Sequence, residues 1–296
     1  MNLSACEGWP GRIPGKSRAS PEGDIRVAQD LTPLTFAVMS MQEWGAGLLI
    51  GALAGLLSGL AGVGGGIVMI PLLSHGLEYS HHTAQGSALF VFSLPVLAGS
   101  AYTYYRNGRT DIFLALFIAV GVLLSGYFVA ERVQNLRSET LSRIFSGFLM
   151  LVGFYLIFRE NWGRTTAHTD PRREFSRVQK AFRGLLIGLL SGSISGLTGV
   201  GGGIIIVPLI RLFLRYDQHV AQGTSLVTLS MPVLIGAMIP YYQKGHVQVQ
   251  MGLALALGLL IASIISARWA QRLRSRTLGG FFGGLVIVVG ILGFFR

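Results

Sequence analysis

The C-terminal half of the chain repeats the half before it. Gly62-Val63-Gly64-Gly65-Gly66-Ile67 returns as Gly199-Val200-Gly201-Gly202-Gly203-Ile204. At the same offset Pro71 matches Pro208, Ala84-Gln85-Gly86 matches Ala221-Gln222-Gly223, and Pro95-Val96-Leu97 matches Pro232-Val233-Leu234. Tyr104-Tyr105 matches Tyr241-Tyr242, and Arg137-Ser138 matches Arg274-Ser275. No gap is needed, and close to half of the aligned positions are identical. Self-similarity of this quality sets the domain plan before any fold is considered. Repeat 1 occupies residues 45–158, repeat 2 occupies 182–295, and a linker at 159–181 joins them.

Each repeat carries the same series of apolar segments. In repeat 1 these are 45–62, 66–77, 84–105, 112–130 and 141–158; their images are 184–199, 203–214, 221–242, 249–267 and 278–295. Most hold about the 20 residues that a bilayer-spanning helix needs. Only 12% of the 296 residues are charged and 51% are hydrophobic. A soluble chain uses about 25% charged residues, so a cytosolic enzyme, a nucleic-acid binder or a disordered protein does not fit. The net charge of +11 lies in the loops rather than on a nucleic-acid-binding face. Glycine, 41 residues, is roughly twice as common as usual, which suits closely packed membrane helices. A single cysteine, Cys6, leaves no intrachain disulfide framework. The expected fold is an all-α polytopic membrane protein of two homologous repeats, each with about four spanning helices. The shorter segments 66–77 and 203–214 are broken from their predecessors by glycines. Counting each broken pair once gives eight crossings; counting both halves gives ten.

Arg159, Arg164, Arg172, Arg173, Arg177, Lys180 and Arg183 crowd in and beside the linker, which the distribution of basic loops places on the cytoplasmic side. Arg268, Arg272, Arg274 and Arg276 form the next basic cluster. The two share a side only if each glycine-broken pair crosses an even number of times, as a re-entrant hairpin does. The repeats are then inverted relative to one another, a frequent transporter plan. Residues 1–40 have no counterpart in either repeat. They read as a disordered tail or as a mis-assigned start, with translation beginning at Met39 or Met41.

Three consecutive glycines inside an apolar run weaken a helix, by roughly 1 kcal/mol each against alanine. At membrane depth the freed backbone groups need partners, so such a break belongs inside protein or along a cavity. A new helix opening at Gly66 or Gly203 aims free N–H groups and its positive dipole end at that point, which suits an anion. The candidate backbone donors are Gly64, Gly65 and Gly66, with Gly201, Gly202 and Gly203. The alternative is that these glycines serve close helix packing. Gln85 and Ser87, with Gln222, Thr224 and Ser225, open the following helix and offer neutral donors to an oxyanion. They serve equally well as helix caps or interface residues.

Other polar residues read more plainly. His82 and His219 are repeat partners at a helix end, the position of interfacial residues or of protonatable gates. Tyr104, Tyr105, Tyr241 and Tyr242 stand beside short loops, as an aromatic belt does. Ser58, Ser93, Ser191 and Ser230 read as packing or helix-bonded residues. No carboxylate lies deep in any expected span, so no buried proton relay is visible. No nucleophile–base pair and no metal-ligand spacing stands out, so neither an enzyme, a cofactor nor a metal site is expected.

The duplicated Gly-Val-Gly-Gly-Gly with Pro71 and Pro208, and the Ala84-Gln85-Gly86-Ser87 and Ala221-Gln222-Gly223-Thr224-Ser225 elements, resemble the TauE/SafE family of sulfite and sulfonate exporters, the toluene sulfonate uptake permease group. The resemblance runs from about Gly45 to the C-terminus. It implies a multi-pass protein of the cell inner (plasma) membrane that moves a small anion, typically sulfite, thiosulfate or an organosulfonate. The family more often has a less polar residue where Gln85 and Gln222 stand, and Gly-Thr-Ser where this chain has Gly86-Ser87-Ala88. The reading is a secondary transporter working by alternating access at a central site, with the small anion and the lipid bilayer as its partners. A passive anion channel and a non-transporting membrane partner protein are the alternatives. The glycine-rich helix faces also suit a homodimer.

Overall fold

In the computed structural model the described residues are 39–150 and 175–270, apart from Val63, Ser138, Ser142, Phe148 and Leu149. Residues 1–38, most of the expected linker, the end of segment 141–158 and all of segment 278–295 lie outside them. Among the described residues all regular structure is helical. Repeat 1 contributes α1 (Met41–Ala61), α2 (Gly66–Pro71, continued by a π-helical turn Leu72–Gly76), α3 (His81–Ser93), α4 (Ala98–Arg106) and α5 (Ile112–Val133). Repeat 2 contributes α6 (Arg177–Thr198), α7 (Gly203–Phe213), α8 (Gln218–Ser230), α9 (Ile235–Gln243) and α10 (Val249–Ala270).

Local chemistry sets the helix ends. At the start of α1 the Ser40 hydroxyl accepts from the Glu43 amide while the Glu43 carboxylate accepts from the Ser40 amide, closing a capping box. The same device at Ser176 and Gln179 starts α6 inside what reads from sequence as the linker. α1 and α6 stop at Gly62 and Gly199, both left-handed. The connections to α2 and α7 stay left-handed at Gly64 and Gly65 (φ 89° and 77°) and at Gly201 and Gly202 (φ 91° and 72°). A residue with a Cβ is strained in this region, so three glycines in each break meet a conformational need.

The segments 84–105 and 221–242, expected as single spans, are each two helices. α3 meets α4 at 48° and α8 meets α9 at 45°. Pro95 and Pro232 explain the bends. Each drives the residue before it, Leu94 or Met231, into extended backbone with ψ near 150°. Among the described residues four helices (α1, α5, α6 and α10) are long and apolar enough to cross a membrane, and the count rises to six if each bent pair is one span. The stretches Gly66–Gly76 and Gly203–Phe213 are apolar but shorter. Leu49, Leu116, Phe128, Leu257 and Ile261 stand exposed on the long helices, the side chains a lipid-facing surface presents.

The halves interlock by exchange. α1 packs along α10 of the other repeat, and its equivalent α6 packs along α5. α3 meets α9 as α8 meets α4, and α3 meets α10 as α8 meets α5. Gly47, Gly51, Gly55 and Gly59 form the stripe of α1 that receives α10, and Gly184, Gly188, Gly192 and Gly196 form the stripe of α6 that receives α5. A β-carbon at Gly55 would lie 2.6 Å from the Leu259 carbonyl oxygen, and one at Gly196 would lie 2.7 Å from that of Gly126. Backbone contact this close needs small residues.

Candidate functional site

The two glycine breaks meet in the buried middle of the protein. A β-carbon on Gly66 would lie 2.6 Å from the carbonyl oxygen of Val200, so the loop before α7 rests directly on the first turn of α2. Gly64 faces Leu229 and Phe92, and Gly201 faces the other edge of the Phe92 ring. Phe92 and Leu229 occupy equivalent positions in the two repeats and are fully buried. Gly64, Gly65, Gly66, Gly201, Gly202 and Gly203 are all buried. Neither α2 nor α7 has a side-chain cap at its N-terminus. The architecture thus brings two helix N-termini, one from each repeat, to one place. Such ends carry partial positive charge and unpaired N–H groups.

Gln85 and Gln222 are buried beside this centre, and each reaches into the opposite repeat. The Gln85 side-chain amide donates to the Leu197 carbonyl at 3.5 Å, and its oxygen accepts from the Tyr241 hydroxyl at 2.8 Å. Gln222 repeats the pattern on Leu60 (3.4 Å) and Tyr104 (3.4 Å). Leu60 and Leu197 end α1 and α6, where backbone carbonyls lack helical partners. Each glutamine therefore closes the C-terminal end of the other repeat's first helix. The contact is tight: a β-carbon on Gly199 would meet Gln85 Cβ at 2.7 Å, and one on Gly62 would meet Gln222 Cβ at 2.9 Å.

The neighbouring hydroxyls also bridge the halves. Ser87 Oγ accepts from the Gln248 amide at 3.1 Å, and Thr224 Oγ1 accepts from the Asp111 amide at 3.0 Å. Ser225 Oγ donates to the Gly62 carbonyl at 3.1 Å. Ala88 at the equivalent place in repeat 1 has no hydroxyl to do the same. Gln85, Gln222 and Ser225 thus meet the glycine breaks at Gly199 and Gly62, whereas Ser87 and Thr224 bond the chain at the starts of α10 and α5 instead.

Tyr104 and Tyr241 depart from the aromatic-belt reading. Both are fully buried against the opposite glutamine, whereas Tyr105 and Tyr242 are more than half exposed. Adjacent helical residues point about 100° apart, so one tyrosine of each pair turns inward. Ser93 and Ser230 bond helix carbonyls as expected, to Leu89 and Val227, while the buried hydroxyls of Ser58 and Ser191 have no hydrogen-bond partner among the described residues. His82 is buried, bonds the Leu136 carbonyl at 3.0 Å and stacks on His246 of the other repeat at 5.2 Å. Burial, reinforced by His82 and Lys244, holds the His246 imidazole below its ordinary titration range. At the opposite junction Asp111 pairs with Lys180 at 3.0 Å and accepts from the Tyr216 hydroxyl at 2.7 Å. Burial alone would raise the Asp111 carboxyl. The Leu114 amide, Tyr216 and Lys180 together outweigh it and hold the carboxyl below the usual range. Among the described residues no group of three His, Cys, Asp or Glu side chains is placed to hold a metal ion.

Residues 47–292 match the family of sulfite exporters TauE/SafE. The chain belongs to the TauE/SafE family. This family is one of membrane transporters rather than a class of enzymes, and the chain is accordingly a multi-pass membrane protein. Similar proteins include a probable membrane transporter protein of Methanocaldococcus jannaschii, 25% identical over 82% of this chain and 92% of its own length. The probable membrane transporter protein YunE of Bacillus subtilis is 24% identical over 82% of this chain and 94% of its own. A probable membrane transporter protein of Xylella fastidiosa is 27% identical over 81% and 91%. No solved structure matches significantly. The matched range of this TauE/SafE chain takes in both glycine breaks and both glutamines.

Proposed function

We propose that this protein is a secondary transporter, working as an exporter in the cell inner membrane, for a small sulfur-containing anion: sulfite, thiosulfate or an organosulfonate. One observation carries the reading. Two uncapped helix N-termini from opposite repeats meet in the buried centre, where oriented N–H groups compensate a negative charge without a fixed cation. Neutral donors also let the anion leave, which turnover requires. The exchanged packing of the halves suits alternating access, with the repeats inverted across the bilayer and rocking about the glycine breaks. Gln85 and Gln222 hold the frame of the site, and each retains a second amide hydrogen for the anion.

The test is sulfite flux in proteoliposomes, with sulfate, thiosulfate and a small sulfonate as competitors, with and without a pH gradient. Saturable sulfite or sulfonate flux is the expected outcome, and Gly202→Leu abolishes it in folded protein. Absence of flux for every anion, or ion currents without saturation, removes the secondary-transporter reading.

A further inference from the structure

The two half-helix N-termini are not equal. α2 is six residues long before it passes into a π turn, whereas α7 runs eleven residues without interruption. The capping glycines also sit differently. A β-carbon on Gly65 would lie 2.7 Å from the Ala54 carbonyl oxygen and 3.1 Å from Ala54 Cβ, leaving no room against α1. On Gly202 the nearest atoms would be the Ser191 carbonyl oxygen at 3.5 Å, Ser195 Cβ at 3.6 Å and Ser191 Cβ at 3.8 Å. The start of α7 therefore rests at ordinary contact distance from α6 rather than pressed onto it, and two serines of α6 flank it.

Those serines are chemically unspent. Ser191 and Ser195 are fully buried, and neither hydroxyl has a hydrogen-bond partner among the described residues. Their neighbours on the same helix behave differently: Ser193 Oγ donates to the Leu189 carbonyl at 2.8 Å and Thr198 Oγ1 to the Ile194 carbonyl at 2.7 Å. A buried hydroxyl without a partner is costly and calls for an occupant. In repeat 1 the equivalent of Ser195 is Ser58, likewise buried without a partner among the described residues, but the equivalent of Ser191 is Ala54, so repeat 2 alone has both hydroxyls.

We infer that the anion site is asymmetric: a small oxyanion binds at the N-terminus of α7, held by the backbone N–H groups of Gly202 and Ile204, the Gly203 amide being spent on the Gly201 carbonyl, and by the hydroxyls of Ser191 and Ser195. The ligand class follows from the donors. Two hydroxyls and a helix N-terminus supply several short, converging donors to an anion with more than one oxygen, and the hydroxyls can also accept from a protonated oxyanion. Ser191 and Ser195 would set affinity and choice among anions, while α2 mainly shapes the wall opposite. The inference rests on the transporter reading above and locates its substrate.

The experiment measures KM and Vmax for sulfite flux in proteoliposomes for the wild type, Ser191→Ala, Ser195→Ala, the double variant and Ser193→Ala. Sulfite-dependent shifts in melting temperature of the purified proteins are recorded alongside. The expected result is a KM raised about tenfold or more in the double variant with Vmax little changed, a lost sulfite-dependent melting shift, and wild-type behaviour of Ser193→Ala. Ser195→Cys keeps the side-chain shape with a slightly larger atom and weakens the donor, and it reads the same KM effect if an alanine variant fails to fold. Folded variants with wild-type KM and melting shift overturn the asymmetric site while leaving the transporter reading intact. A wild type that neither moves nor binds any anion overturns the transporter reading itself, and the site with it.

Discussion

Repeat 1 and repeat 2 share a ground plan but not the same fit. In repeat 1 the capping glycine of the half-helix is pressed onto the α1 backbone at Ala54. In repeat 2 the equivalent glycine has ordinary contact distances and serine neighbours. Repeat 1 ends its half-helix in a π turn after Pro71, while Pro208 is absorbed within a continuous α7. The outer junctions differ as well. Asp111, Lys180 and Tyr216 form a bonded cluster; their equivalents are Gln248, Glu43 and Tyr79, and Glu43 is spent on capping α1. A duplicated frame holds its symmetry where the halves grip one another and relaxes it where one half does something its copy need not.

The largest expected effect breaks this comparison at the glycine caps. Both Gly65→Ala and Gly202→Ala place a Cβ in left-handed backbone, but only Gly65→Ala also drives it into the Ala54 backbone. Thermal unfolding in detergent should show a loss of roughly 3 kcal/mol for Gly65→Ala and roughly 1 kcal/mol for Gly202→Ala. Equal losses would mean that the two breaks are packed alike.

A smaller effect separates the two clamps. The Tyr241 hydroxyl reaches Gln85 at 2.8 Å, and the Tyr104 hydroxyl reaches Gln222 at 3.4 Å. Tyr241→Phe should cost about 1 kcal/mol of stability and Tyr104→Phe clearly less. The smallest effect concerns acid. Asp111 titrates below its ordinary value of 3.8 in the folded chain. Its stabilisation is therefore fully present above that value and is lost as pH falls through the lower folded one. Asp111→Asn should flatten the acid-side loss of stability, while Gln248→Asn at the equivalent place leaves the wild-type profile. Melting temperatures from neutral pH down to about pH 3 decide it.

The all-helical fold was legible because lipid imposes long apolar runs, and the duplication was legible because it is written residue by residue. The glycine breaks could be placed at a buried junction, since only there are broken helices tolerated. Glycine abundance pointed to close helix packing, but not to Gly47, Gly51, Gly55 and Gly59 receiving α10 of the other repeat, since composition names no partner. The bends at Pro95 and Pro232 were signalled by proline and hidden by the apolar run around it. The inward turn of Tyr104 and Tyr241 depends on contacts some hundred residues away. Ser191 could not be told from a helix-bonded serine, because what marks it is a missing partner.

The crossed grip of the glutamines has a consequence for how the protein is made. The Leu60 carbonyl at the end of α1 waits for Gln222, which leaves the ribosome only after most of the chain has been synthesised. Until then the first half cannot close its own centre, because the groups that close it are encoded in the second. Separately expressed halves should therefore find each other in the membrane or be degraded, and maturation is a single late event rather than two successive ones.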